Sequence, residues 1–298
     1  MLGFGNYNYE HFTRERLEES ERAAFSGPEP GEQAPDFKAR TLDGTTIRLS
    51  DYQGKKNVLL IFGSATCPMT ASSIAGINQL YDQFRGDDLE FLFVYVREAH
   101  PGERMAAHKS MKDKVRSAQL LRDNEDIAMP VLVDDLHGAI HRKYSRLPNA
   151  AYLIDKSGRV AFRSLWAQPE PLAAAIQELR DRGEGVVQGG EDLSIPFSYS
   201  ALYSYRALQR GGRQSLHDFR RALGLPGRDA AAHAKPLGHP GRVLAISALA
   251  AVVVAGGMYA GFELRRRRLG GGGRINPYRA YEKDKAVDTD VDYGAVGI

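Results

Sequence analysis

The sequence predicts an α/β domain built on a central mixed sheet flanked by helices, followed by a transmembrane helix near the C-terminus. Three observations predict it. Between Ala34 and Arg182, short apolar runs of strand length alternate with amphipathic runs of helix length. The run NVLLIFG at Asn57–Gly63 is apolar throughout, as a strand buried on both faces requires. Val243–Phe262 carries no charge, and at 1.5 Å per residue it reaches across the roughly 30 Å hydrocarbon core of a bilayer.

Element by element, residues 11–25 read as a short, highly charged helix, broken by the prolines and glycines of SGPEPGEQ. Phe37–Arg40 and Thr46–Leu49 flank LDGT and read as a hairpin with Asp-Gly at its turn. After Asn57–Gly63, a helix runs from about Pro68 to Phe84, with Ile74, Ile77, Leu80, Tyr81 and Phe84 at helical spacing. Leu89–Val96 is the next strand, Glu103 to about Arg122 a helix, and Met129–Asp134 a strand. A short helix is expected at Leu136–Tyr144. Strands at Ala150–Ile154 and Arg159–Leu165 follow, and a helix at Glu170–Arg182 closes the unit.

Composition narrows the chemistry. The 298 residues are 43% hydrophobic and 26% charged, which excludes a disordered or collagen-like chain. A formal charge of +3 is too small for a nucleic-acid coat. The single cysteine excludes an internal disulfide framework, a CxxC pair and a multi-Cys zinc site. Thiol chemistry, if present, rests on Cys67 alone.

Cys67 follows a buried strand and opens a helix, where backbone N–H groups and the helix dipole favour a thiolate. The shift matters at pH 7, because a thiol of pKa 8.5 is about 3% ionised and one near 6 about 90%. Ser64 and Thr66 supply hydroxyls for the sulfur or a substrate atom. Position 65 is Ala and position 70 is Thr, so an oxidised intermediate needs an external thiol to resolve it. Glu98 and His100 lie two apart at the carboxyl end of the following strand, where open α/β sheets bind their ligands. A carboxylate there would hold the imidazole charged as a proton donor. His137 and His141, four apart, have the spacing of a two-ligand metal face but no third ligand, and read as exposed helix histidines; no metal is expected.

FGSATCP, then VYVREAHP about thirty residues on, then HKSMKDKVRSAQLL, resemble the iodothyronine deiodinases over about residues 31–182. APDF and LDGTTIRLSDYQGK resemble the wider peroxiredoxin and thioredoxin-like group. The resemblance implies a thioredoxin-like fold and makes Cys67 the counterpart of the selenocysteine nucleophile. It also implies that Ser64, Tyr95, Glu98, His100 and His108 form a proton-moving network. Thr66, Arg146 and Pro148 are the expected substrate-side residues. Arg146 would meet a substrate carboxylate, and Pro148, in LPN, would occupy a thioredoxin-type proline loop, usually cis. The chain departs from the family in several places: Cys replaces selenocysteine, Ala65 stands where some members carry a cysteine, and the stretch between His100 and His108 is short. The apolar span is C-terminal rather than N-terminal.

The resulting organisation is a charged N-terminal helix and linker (1–30), the thioredoxin-like domain (31–183), a linker with short amphipathic helices (184–242), a transmembrane helix (243–264) and a basic, then acidic tail (265–298). Gly257 and Gly261 form a GxxxG pair, a pattern of helix pairing and hence of a homodimer. Three basic residues precede the span (Arg228, Lys235, Arg242) and six follow it (Arg265 to Arg268, Arg274, Arg279), which would place the tail in the cytoplasm. Residues 1–25 lack the pattern of a secretory signal, and the expectation adopted is a cytoplasmic catalytic domain with a single-pass C-terminal anchor. The expected function is a thiol-dependent oxidoreductase acting on a halogenated aromatic, with no bound cofactor and an external thiol or thioredoxin-like protein as reductant. A one-Cys peroxidase is the alternative, with Ser64 three before the thiol where peroxiredoxins place Thr or Ser. A non-enzymatic membrane tether is the third reading.

Overall fold

The structure is a computed structural model, and it describes residues 7–23, 26–86, 88–189 and 206–223. Seven strands form one sheet: β1 (Lys38–Thr41), β2 (Thr46–Arg48), β3 (Asn57–Gly63), β4 (Leu89–Tyr95), β5 (Val131–Val133), β6 (Ala151–Ile154) and β7 (Val160–Ser164). Their spatial order is β2-β1-β5-β4-β3-β6-β7. The centre is parallel, with β3 on β4 and β4 on β5, and the flanks are antiparallel. The mixed sheet matches the expected thioredoxin-like α/β architecture.

The register of β3 explains its continuous apolar run. Leu59 and Ile61 face one side with Phe91, Phe93 and Leu153. Val58, Leu60 and Phe62 face the other with Leu92, Val94 and Tyr152. The first face is covered by α2 (Pro68–Phe84), α3 (Met111–Asn124) and α4 (Pro169–Arg182), through Ile74, Ile77, Ala118, Leu121, Leu172 and Ile176. The second face is covered by Phe37, Ile140, Tyr144 and Leu147 from loops and turns and by Leu49 from a short 3-10 helix; among the described residues no α-helix joins this cluster. Both parallel crossovers, through α2 and α3, run in the same direction along the sheet, so right-handed connections put both helices on one face.

Two expected helices differ. The helix expected from Glu103 begins only at Met111, because the Ser110 side chain accepts from the Asp113 N–H at 3.2 Å and caps it there. The segment before it is held open by tertiary contacts described below. Leu136–Tyr144 forms turns rather than a helix. The carboxylate of Asp134 takes the N–H groups of Asp135, Ile140 and His141, and that of Asp135 takes His137 and Ala139, diverting donors a helix would need.

Beyond the sheet, α1 (Arg14–Ala23) and α5 (Arg213–Ala222) pack against each other, and residues 206–211 are also helical. The span expected at 243–264, with its Gly257–Gly261 pair, lies outside the described residues. Among the described residues, no helix is long and apolar enough to cross a membrane.

Candidate active site

Cys67 occupies the N-cap position of α2, immediately after β3 and its short exit turn. It is 1% exposed and packs with Met69, Ala99 and the half-buried Trp166. Position and burial pull its acidity in opposite directions. Burial pushes the thiol above its ordinary value, and the charge of Glu98 adds to the rise. The N–H of Thr70, its hydroxyl and the N–H of Met69 oppose that rise without cancelling it. The thiolate expected at this helix start is therefore disfavoured while the sulfur stays dry. Thr70 is a site residue that sequence reasoning missed; a threonine where a second cysteine would complete CxxC was read only as an absence.

The hydroxyls expected to serve the sulfur turn elsewhere. Thr66 donates its Oγ1 proton to Glu98 Oε2 at 2.6 Å, and its N–H reaches the same oxygen at 2.9 Å. Thr66 Oγ1 also accepts from the His100 N–H, and Ser64 Oγ accepts from the Ala99 N–H. Both residues thus clamp the 98–100 loop to the turn that carries Cys67. Tyr95 donates its hydroxyl to Glu98 Oε1. Burial alone would raise the Glu98 carboxyl. His108, Thr66 and Tyr95 more than offset it and hold the group below the usual carboxylate range.

Glu98 and His100 do not pair as their spacing suggests. Strand β4 ends at Tyr95, so the alternation that would align them has stopped. The histidine beside Glu98 is His108, whose Nε2 lies 3.4 Å from Oε1. His100 points instead between two aromatic rings, Phe12 at 4.2 Å and Phe219 at 5.0 Å, centroid to centroid. Its Nδ1 is buried without a hydrogen-bond partner, and burial pushes its pKa down to about 3 despite the Glu98 charge. It is a neutral imidazole at physiological pH, not the charged donor that the sequence suggested.

The remaining expected residues are spread around this core. Arg146 is half-buried near Arg142, Glu19 and Arg97, and burial lowers its pKa. Pro148 is half-buried in a turn. The neighbouring Asn149 amide reaches Phe62 O at 3.4 Å and lies 3.5 Å from Thr70 Oγ1. The described residues contain no cis peptide bond, so the proline loop is trans. Leu147 before it is tied by its carbonyl to His141 Nε2 and by its N–H to Ser145 Oγ. His141 is fully buried rather than exposed. It is held by the Tyr7 hydroxyl at Nδ1 and stacked on Phe62, and burial takes its pKa down to about 3. Among the described residues, no group of three or more His, Cys, Asp or Glu is placed to hold a metal ion.

Residues 30–163 match the AhpC/TSA family. They include the whole seven-stranded sheet but for the last residue of β7. The chain is also similar to deiodinases, as its three motifs imply. It is 27% identical over 161 residues to the type I iodothyronine deiodinase of Xenopus laevis, covering 50% of this chain and 63% of that protein. It is 29% identical over 143 residues to the thyroxine 5-deiodinase of Gallus gallus, covering 44% and 55%. The chain therefore spans little more than half the length of those relatives. Among solved structures, an exposed lipoprotein thioredoxin of Streptococcus pneumoniae is 28% identical, with TM-score 0.39, over 49% of this chain and 100% of that one. A peroxidoxin of Mycobacterium tuberculosis is 17% identical, with TM-score 0.39, over 52% and 97%.

Proposed function

We propose that this protein is a thiol-dependent oxidoreductase that removes halogen from an aromatic substrate through Cys67. The single observation that carries the reading is the buried carboxylate of Glu98. It bonds the residue preceding Cys67 while sitting beside an imidazole and a phenol, an acid–base cluster that simple thiol exchange does not need. The likeness to deiodinases supports the choice of substrate.

In the proposed reaction the Cys67 thiolate attacks the halogen. The S–X bond forms, the C–X bond breaks with its electron pair moving to carbon, and that carbon takes a proton. The proton source is His108, held beside Glu98, rather than His100. One external thiol then attacks Cys67 Sγ and releases halide, leaving a mixed disulfide. A second thiol displaces the first as a disulfide and returns Cys67 to the thiol. The partners are accordingly a halogenated aromatic and a small thiol or thioredoxin-like reductant. The apolar segment at 243–264 supplies a membrane anchor, with the catalytic domain on the cytoplasmic side.

A peroxidase is favoured by a separate observation, the match of residues 30–163 to AhpC/TSA. There the Cys67 thiolate would attack a peroxide oxygen, giving a sulfenic acid and an alcohol or water, and two thiols would reduce it back. Full-length protein in detergent, given dithiothreitol with an iodinated phenol and separately with hydrogen peroxide, separates the two. Iodide release that Cys67→Ser abolishes is the expected result. Peroxide consumption without iodide release would transfer the assignment to the peroxidase, and either activity persisting in Cys67→Ser would remove Cys67 from the reaction.

A further inference from the structure

Two segments outside the AhpC/TSA match, one from each side of the domain in sequence, close over His100 and over Ala99, which packs on Cys67. The first is an N-terminal arm, residues 7–12. Tyr9 donates its hydroxyl to the carbonyl of Ala99, a residue packed on Cys67. Arg97 lies between the rings of Tyr7 and Tyr9, at 5.0 and 4.9 Å, and donates to the Tyr7 carbonyl at 2.8 Å. Phe12 then covers the His100 ring.

The second segment is α5 with the residues leading into it. Glu103 accepts the N–H groups of Arg213 and Gln214 at 2.6 and 2.9 Å, satisfying donors that every helix start leaves open. Ser215 donates to the His100 carbonyl, and Phe219 covers the other edge of the same imidazole. The seat is shaped for this approach: a Cβ on Gly102 would stand 2.2 Å from the Gly211 carbonyl oxygen. Arg210 reaches back to the Ala65 carbonyl, two residues before the sulfur.

The two segments also hold each other. His11 Nδ1 meets Asp218 Oδ2 at 2.9 Å, the Gln214 amide donates to the Glu10 carbonyl, and Phe12 stacks near Phe219. We propose that the arm and α5 form a two-part lid over the reactive centre, and that Cys67 meets its substrate and reductant only when the ring contacts at His100 release. The lid explains how a nucleophile 1% exposed can react at all. It makes the arm–α5 contact the point at which activity is controlled. The inference rests on Cys67 being the reacting atom, but its test reads thiol accessibility and not turnover.

Cys67 is the only thiol, so its labelling by 5,5′-dithiobis(2-nitrobenzoate) in full-length protein in detergent reports on this position alone. The closed chain should label far more slowly than the same chain in guanidinium. Phe12→Ala and Phe219→Ala should each label about tenfold faster, for the loss of a ring contact worth about 1.4 kcal/mol to the closed state. Should either variant lose its cooperative melt, Ser215→Ala removes one hydrogen bond and Glu103→Gln one of two acceptor oxygens, and each should still speed labelling about threefold at an unchanged melting temperature. Wild-type labelling as fast as in guanidinium, or folded variants that all label at the wild-type rate, would overturn the lid. Iodide release and labelling fail independently: faster labelling without turnover leaves the lid and removes the proposed activity. Turnover dependent on Cys67 with lid-independent labelling does the reverse.

Discussion

His100 and His108 come from the same stretch of chain and are both buried, yet their surroundings make them different chemical objects. His108 sits against a carboxylate, with Nε2 3.4 Å from Glu98 Oε1. His100 sits between Phe12 and Phe219 with Nδ1 unpartnered, and its pKa falls to about 3. Desolvation between two aromatic rings silences the His100 imidazole, whereas the same depth brings His108 beside a carboxylate. Depth alone does not distinguish the two histidines; the neighbour does.

The largest effect should come from the group on which the comparison turns. Glu98→Gln keeps the size of the side chain but removes the charge that His108 and the Thr66 and Tyr95 donors face. Turnover should fall by about 10²–10⁴-fold, the usual worth of a positioned acid–base group. Leaving the buried Thr66 and Tyr95 donors without their carboxylate should also cost about 1–3 kcal/mol, read as a shift in the urea unfolding midpoint. A Glu98→Gln enzyme with wild-type turnover would end the acid–base reading of the site.

The two histidines should then separate in kinetics. His108→Asn should reduce turnover about 10²-fold. His100→Asn should leave the shape of the pH–rate profile unchanged and alter the rate only a few-fold, since a neutral imidazole contributes no ionisation near pH 7. If His100→Asn alone flattens the profile, the assignments must be exchanged.

Stability should report on the two imidazoles that burial keeps neutral, His100 and His141. The folded pKa of His100 and of His141 is about 3, against about 6.5 when unfolded, so between those values the unfolded chain binds more protons. Stability is therefore fully present above pH 6.5 and is lost as pH falls toward 3. Each residue contributes up to about 1.4 kcal/mol per pH unit. Urea unfolding at pH 7, 6 and 5 should show this slope, and His141→Asn or His100→Asn should each lessen it. A slope unchanged in both variants would place the acid sensitivity elsewhere.

The sequence made the frame legible because its signals there are local. The continuous run of β3 and the 3.6-residue spacing of α2 fixed both ends of each, with Pro68 marking the first helical residue. The failures share one cause, side chains that act at long range. Asp134 and Asp135 capture the N–H groups that a helix at 136–144 needed. Glu103 is spent on the start of α5, 110 residues away, instead of opening a helix of its own. His108 could be named from the resemblance, but its preference over His100 depends on Phe12 and Phe219, which no motif links to either. The residues read as a charged N-terminal helix and a linker supply the cover of the site, and nothing in their composition says what they lie on.

A smaller effect than those at Glu98 and His108 sharpens the comparison at the sulfur itself. Cys67 resembles His100 in being dry, and its thiol is raised by burial; unlike the His100 ring, it has donors aimed at it. The Thr70 hydroxyl is the side-chain donor among them, and the same oxygen accepts from the Ser64 N–H at 3.3 Å. Thr70→Val preserves the shape and removes that hydroxyl, so the thiol pKa should rise further. One hydrogen bond to a charged sulfur is worth about 1.5 kcal/mol, so turnover at neutral pH should fall about tenfold and recover as the pH is raised. Iodoacetamide alkylation of Cys67 against pH gives the pKa directly. A Thr70→Val curve that overlays the wild type would mean that the backbone N–H groups of Met69 and Thr70 alone oppose the burial of the sulfur.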